Sequence, residues 1–210
     1  MQFTPNFTHP LNYLVLLDET RLRKLLGKYN DTRLNALYGY KNDTTPLQKN
    51  LANLKICFGH FGGEDEWARY LESDRFIQDN SLTFHPETGI DFTEDGALEG
   101  IWKYASWYTI IHSLMLQYKN VYADISYILH DPATFHLLKR TLMNNSGIAD
   151  RVLFGTDFYV VRSQKSDKQM WTDLIGALSE KELEMIAVKN PRTFLHNKIS
   201  GPVNLDDGDT

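Results

Sequence analysis

Short apolar runs alternate along the chain with longer segments in which apolar residues recur at helical spacing. Three of the runs predict buried strands: residues 54–58, 120–126 (NVYADIS) and 151–158 (RVLFGTDF). The periodic segments, with start signals such as a capping Asp18 and a Ser179/Glu182 capping box, predict helices. We expect these helices at residues 10–17, 19–29, 64–73, 104–118, 132–145, 166–178 and 179–189, with a short helix opening at Thr45-Pro46 and irregular backbone over 30–44 and 74–100.

The order of these elements predicts a parallel sheet. Strands that are separated by helices form parallel βαβ units, so the predicted fold class is α/β. Residues 1–200 are expected to form one domain, and residues 201–210 a polar, disordered tail. In a parallel sheet the carboxyl ends of all strands lie on the same side, and ligands bind there.

Two ionisable side chains follow predicted strands on that side of the sheet. His60 comes just after the first strand and Asp157 lies at the end of the third, each beside glycines. Gly62 and Gly63 allow the chain to leave the first strand without a side chain crowding the site. A histidine and an aspartate in these places suit an acid–base pair or the start of a divalent-metal site. The alternatives are structural: a hydrogen-bonded histidine, and an aspartate that caps the next turn or helix.

The other polar candidates have weaker support. Asp124 lies inside the second predicted strand, where a buried carboxylate needs partners. Two roles stay open for it: holding the neighbouring loops, or lining the site. The remaining histidines fall in or beside predicted helices and turns and are weaker candidates, and those at positions 112 and 136, near apolar stripes, are expected to be structural. The others are at positions 9, 85, 130 and 196.

Composition narrows the classes of function. The 210 residues include 42% hydrophobic residues, enough for one sizeable core, and the net charge of −5 gives no footprint for nucleic acid or an anionic membrane. The apolar stretches are too short to span a bilayer, and the N-terminus lacks the pattern of a secretory signal. The single cysteine, Cys57, excludes an intrachain disulfide and indicates a reducing compartment, so we expect a cytoplasmic protein.

Four motifs, in order, resemble the C-terminal part of the amidohydrolase-2 branch of the metal-dependent hydrolases: KICFGHFGGEDEW, NVYADIS, RVLFGTDFY and KNPRTFL. The resemblance implies a partial (β/α)8 TIM barrel whose strands are equivalent to strands six to eight. It implies that His60 contacts the metal or the substrate carbonyl, and that Asp157 binds the metal and shuttles a proton. The implied cofactor is a divalent metal ion, and zinc is expected before other metals. The implied reaction is hydrolysis or decarboxylation of a small carbonyl- or carboxylate-bearing substrate.

The chain departs from the family pattern in its metal ligands. The family's His-x-His pair occurs nowhere in the sequence, and His9 is not expected to be the strand-five metal histidine. Two protein ligands are too few for a catalytic zinc, which generally has three and a water. We therefore expect the C-terminal portion of an amidohydrolase, inactive and without metal by itself. Two functions stay open: part of a metal-dependent enzyme, or a non-catalytic fragment that acts through self-association or a partner chain, with a homo-oligomer as the expected assembly.

Overall fold

The protein is mostly helical. A computed structural model describes residues 8–79, 84–85, 89–93 and 97–196, and the predicted tail at 201–210 lies outside these residues. The α-helices are α1 (Leu14–Leu17), α2 (Glu19–Tyr29), α3 (Thr32–Tyr38), α4 (Glu64–Asp79), α5 (Ala97–Tyr104), α6 (Trp107–Gln117), α7 (Thr134–Asn144), α8 (Ser146–Ala149), α9 (Phe158–Val161), α10 (Asp167–Ala177), α11 (Glu180–Glu184) and α12 (Asn190–Leu195). Shorter 3-10 helices cover Pro10–Tyr13, Gly59–Gly62 and Ile128–His130, and a π-helix covers Met185–Lys189.

The strands are short, and three of them form a parallel sheet. In chain order they are β1 (Ile56–Phe58), β2 (Phe84–His85), β3 (Gly89–Ile90), β4 (Val121–Asp124) and β5 (Val152–Leu153). The sheet has the order β1-β4-β5, with Ile56 beside Val121 and Ala123 beside Val152, while β2 and β3 form a separate antiparallel pair. The three predicted strands are therefore parallel neighbours, and their carboxyl ends lie on one side.

The prediction of a partial (β/α)8 TIM barrel is wrong. Within the described residues the parallel sheet has three strands and is not closed, and helices carry most of the chain. The apolar runs of the sequence are longer than the strands because the chain turns away soon after each pairing ends. Left-handed backbone at His60 and Asp157 marks two of these turns. Helices supply the burial that a closed barrel would obtain from facing strands.

Helix α6 lies at the centre of that helical core. Its residues Ile110, Leu114 and Met115 are completely buried, and it packs against α4, β3 and β4. A helix that is apolar on nearly every side is expected in such a position. Strand β4, the middle strand of the parallel sheet, rests against this helix. No helix in the described ranges is both long and apolar enough to cross a membrane.

Two helix N-termini that are capped by a side chain were predicted correctly from the sequence. Asp18 accepts hydrogen bonds from the backbone at the start of α2, and the Ser179/Glu182 capping box opens α11, as predicted. Two loop predictions are wrong: α3, capped by Asp31, lies within residues 30–44, and α4 and α5 extend into residues 74–100. The helix expected at Thr45-Pro46 is also wrong, since this segment forms turns and bends.

Two polar side chains fasten the C-terminal helix α12 to the sheet. Lys55, just before β1, donates to three carbonyl oxygens within 2.8 Å, those of Thr193, Phe194 and His196. Asn190, at the other end of α12, donates from its side-chain amide to the carbonyl oxygens of Ala149 and Val152, each at 2.7 Å. The segment KNPRTFL thus closes the fold against β5.

Candidate active site

Each of the three parallel strands is followed by a residue with left-handed backbone. The φ angles are 56° at His60, 62° at Tyr127 and 47° at Asp157. None of the three is glycine, so each conformation costs about 1–3 kcal/mol and persists only where surrounding contacts hold it. Such strain clusters at functional sites, and here it lies at the side of the sheet where the sequence places the candidate residues.

Asp124, the last residue of β4, holds the loop that carries His60. Its Oδ1 accepts from the backbone N–H of His60 at 3.1 Å and of Ser126 at 3.0 Å, and it also accepts from the Ser126 hydroxyl. Of the two roles left open by the sequence, the contacts show the first, the holding of neighbouring loops. Charge-assisted hydrogen bonds of this kind are among the stronger contacts in proteins.

The rest of the HFGG turn is fixed by glycine and by Trp67. Gly62 and Gly63 have φ angles of 95° and 97°, a region that other residues rarely adopt. The indole N–H of Trp67 donates to the carbonyl of the fully buried Phe61 at 2.9 Å. The two glycines therefore provide the conformation, and the buried contacts hold it.

His60 contacts the loop after the neighbouring strand and lines a cavity. Its Nδ1 lies 3.0 Å from the carbonyl oxygen of Ser126 and 3.0 Å from the Ser126 hydroxyl oxygen. His60 also lines a cavity of about 360 Å³. The other walls of this cavity are mainly aromatic and aliphatic, and they include Tyr13, Ile56, Phe58 and Trp107. An imidazole at the wall of an apolar cavity is suited to proton transfer or to the binding of a metal ion.

Cys57 lines the same cavity without a reactive thiol. Burial is the main cause that raises the pKa of Cys57 to about 12, and the nearby Asp124 charge contributes to the same increase. The thiolate, which is the nucleophile, is therefore rare at neutral pH. Cys57 is a packing residue, in keeping with its position in an apolar run.

Asp157 lies at the end of the third predicted strand but does not act as a cap. It occupies the N-cap position of α9, yet its carboxylate accepts no cap hydrogen bond. Capping aspartates have extended backbone, whereas Asp157 is left-handed. The N-cap interpretation of Asp157 is therefore wrong, whereas its left-handed backbone agrees with a turn residue. Among the described residues its carboxylate has no hydrogen-bond partner.

Ser126 connects the outer strands at the level of the two candidates. It contacts His60 on one side, and on the other a Cβ added to Gly155 would lie 2.9 Å from the Ser126 Cβ. Gly155 is therefore needed for the close approach of the third strand end, two residues before Asp157. No hydrogen bond or ion pair within the described ranges joins His60 directly to Asp157.

His130 and Glu64 belong to the same region, and sequence reasoning missed them. The Nδ1–H of His130 donates to the carbonyl of the strained Tyr127 at 2.6 Å, and its Nε2 lies 3.0 Å from Glu64 Oε2. Tyr127 in turn has its ring edge-on to His60, with 5.7 Å between centroids. The only sequence signal for His130 is its place in the loop after the second strand.

Two other histidines are buried as structural residues. His9 stacks on Trp102 with 3.7 Å between ring centroids, and burial lowers its pKa to about 4. The backbone of Trp102 acts against this lowering of the pKa. Among the described residues, no atom is placed to form a hydrogen bond with His9 Nε2. Burial likewise lowers the pKa of His112 to about 4. The side chain of His85 lies outside the described part of the chain.

The described residues do not close a metal site. Imidazole nitrogen and carboxylate oxygen are ligands that zinc takes, so His60 and Asp157 are of the right chemical type. However, no group of three or more His, Cys, Asp or Glu side chains within the described ranges is placed to hold a metal ion. The metal-binding role of His60 and Asp157 stays a prediction.

The comparison with known families finds a match in one segment of the chain. The model of the amidohydrolase family matches residues 102–196. No curated protein and no solved structure matches the chain. The match confirms the resemblance for the C-terminal part and covers Asp124, Ser126, Asp157 and Asn190, whereas His60 lies before it. Members of this family generally use divalent metals.

Proposed function

We propose that the chain, whose residues 102–196 carry amidohydrolase-family sequence, supplies His60 and Asp157 to the hydrolysis or decarboxylation of a small carbonyl- or carboxylate-bearing substrate. The observation that carries this proposal is the environment of the Asp157 carboxylate. Its carboxylate follows a buried strand on strained backbone, and it neither caps α9 nor forms another hydrogen bond within the described residues. A partly buried carboxylate without a structural partner is available for proton transfer.

In this proposal the two residues have different tasks. Asp157 accepts and returns the proton of the reaction, because a carboxylate is a base at neutral pH. His60 meets the reacting group from the wall of the cavity, where apolar surroundings strengthen its electrostatic contacts. The aromatic walls would hold a ring-sized substrate by apolar contact.

The proposal includes a divalent metal ion, with zinc expected before other metals. The reason is the family resemblance, since the described residues do not form a complete metal site. His60 and Asp157 would be two of its ligands, and at least one more would have to come from outside the described residues. Supply of a missing ligand by another chain would agree with the predicted homo-oligomer. A cytoplasmic location, which rests on the single cysteine, remains part of the proposal.

A second candidate function is self-association without catalysis. It is favoured by exposed apolar side chains on α9 and α10. Tyr159 is 82% and Ile175 is 62% exposed, and Phe158, Val160 and Trp171 are exposed as well. The three on α9 are consecutive, and the rings of Phe158 and Tyr159 are in contact. Contiguous exposed apolar groups often mark protein interfaces.

The test compares Asp157→Asn with the wild type on esters, lactones and carboxylates, with zinc or manganese supplied. Both are assayed in a protein completed by the segment or chain that carries the missing metal ligands, because the isolated chain is expected to be inactive. Asparagine keeps the size of the side chain but removes the base, so we expect turnover to fall by about 10²–10⁴-fold at unchanged thermal stability. Asp150→Asn, at an exposed aspartate, is the matched control and should retain full turnover. Equal turnover by Asp157→Asn and wild type would refute the role of Asp157. Absence of turnover in the wild type would favour the second candidate.

A further inference from the structure

We propose that Asp124, acting through Ser126, is a positioning residue that fixes the His60 ring with its proton on Nδ1 and its lone pair on Nε2. The inference rests on the proposed function of His60. It changes the task of that residue, because a neutral ring with this tautomer enters the reaction as a proton acceptor or a metal ligand and not as a hydrogen-bond donor.

The first step of the argument is the carbonyl oxygen of Ser126. It lies 3.0 Å from His60 Nδ1, and a carbonyl oxygen can only accept a hydrogen bond. This contact favours the proton on Nδ1 as long as the ring keeps its orientation toward Ser126. In the neutral imidazole the other nitrogen, Nε2, then has a free lone pair.

The second step is the direction of the Ser126 hydroxyl. This hydroxyl donates to Asp124 Oδ1, so its hydrogen is engaged on the side away from His60. Its oxygen, 3.0 Å from His60 Nδ1, is left to accept from the same ring N–H. Both acceptors of Ser126 therefore favour one tautomer, and the carboxylate of Asp124 sets the direction of the hydroxyl.

The third step is that the same carboxylate oxygen holds both partners in place. Oδ1 of Asp124 accepts from the backbone N–H of His60 at 3.1 Å and from that of Ser126 at 3.0 Å. The left-handed backbone of His60 is thereby tied to the loop that presents the acceptor. Ring orientation, tautomer and backbone strain are controlled by a single group that does not touch the ring.

The test measures the tautomer directly, on the full chain without substrate or metal. Histidine is labelled with ¹⁵N, and long-range proton–nitrogen correlation spectra are recorded at a pH high enough that the ring signals no longer change. His60→Gln identifies the His60 signals by their loss. We expect the wild type to show the Nδ1–H form, and Ser126→Ala and Asp124→Asn to shift His60 toward a mixture that contains the Nε2–H form.

The controls separate this inference from the proposed function. Asp157→Asn removes the proposed proton-transfer group and should leave the His60 tautomer unchanged. Asp131→Asn removes a carboxylate that accepts from Ala133 N in the same loop, and it should also have no effect. An Nε2–H ring in the wild type would overturn the inference by itself, whether or not the variants fold. An unchanged tautomer in both Ser126→Ala and Asp124→Asn would overturn it as well. The Nδ1–H result would stand even if Asp157→Asn retained full turnover.

Discussion

Removal of the Asn190 amide should destabilise the fold more than any exposed change in the same helix. Asn190 is 3% exposed, and its side-chain amide donates to the carbonyl oxygens of Ala149 and Val152 at 2.7 Å each. Ala149 ends α8 and Val152 lies in β5, so one side chain joins three elements. Asn190→Ala would leave both carbonyls without this donor in a buried place.

The expected magnitude follows from these two hydrogen bonds. A typical bond contributes about 0.5–1.5 kcal/mol net, and a buried group left unsatisfied costs about 1–3 kcal/mol. For two acceptors we expect a loss of about 2–4 kcal/mol in the free energy of unfolding. In a chain of this size such a loss lowers Tm by roughly 4–16 °C.

Urea unfolding followed by circular dichroism is the assay, with equal slopes of the free energy against urea as the condition for comparison. Asn190→Asp keeps the side-chain size but turns the donor into an acceptor that faces two carbonyls, so it should lose at least as much. Arg192→Ala, on the exposed side of α12, is the control and should stay within about 0.5 kcal/mol of wild type. If both Asn190 variants also stay within that range, the amide does not stabilise the fold as argued.

Two further predictions concern pH and assembly. Burial lowers the pKa values of His9 and His112 to about 4, so the unfolded chain binds more protons than the folded one between about pH 6.5 and pH 4. The free energy of unfolding should therefore fall on acidification through this window, and His112→Leu should reduce this dependence on pH. Urea unfolding at several pH values measures it, and the same dependence of the free energy on pH in His112→Leu and wild type would contradict the prediction. For assembly, sedimentation should show a homo-oligomer of the wild type, and Tyr159→Lys or Ile175→Lys should shift it toward monomer, whereas a monomeric wild type would refute the proposed self-association.

The sequence by itself determined the elements whose signals are local. The cap at Asp18 and the Ser179/Glu182 box depend on residues within one helical turn, and both are observed. The strand cores at residues 56–58, 121–124 and 152–153 lie inside the predicted apolar runs, because continuous apolar runs favour burial. The positions of His60 and Asp157 at strand ends followed from the same runs.

Tertiary structure decided everything that depends on contacts between distant residues. The role of Asp124 became clear only when β4 lay beside β1 and its carboxylate met the backbone of His60, 64 residues away. Asn190 likewise gives no sequence sign that it binds a carbonyl 41 residues earlier. The partial barrel was predicted wrongly for the same reason: a run of apolar residues signals that a strand is buried, but not whether a strand or a helix covers it. That choice is made by the packing of α6 and its neighbours, which no local pattern contains.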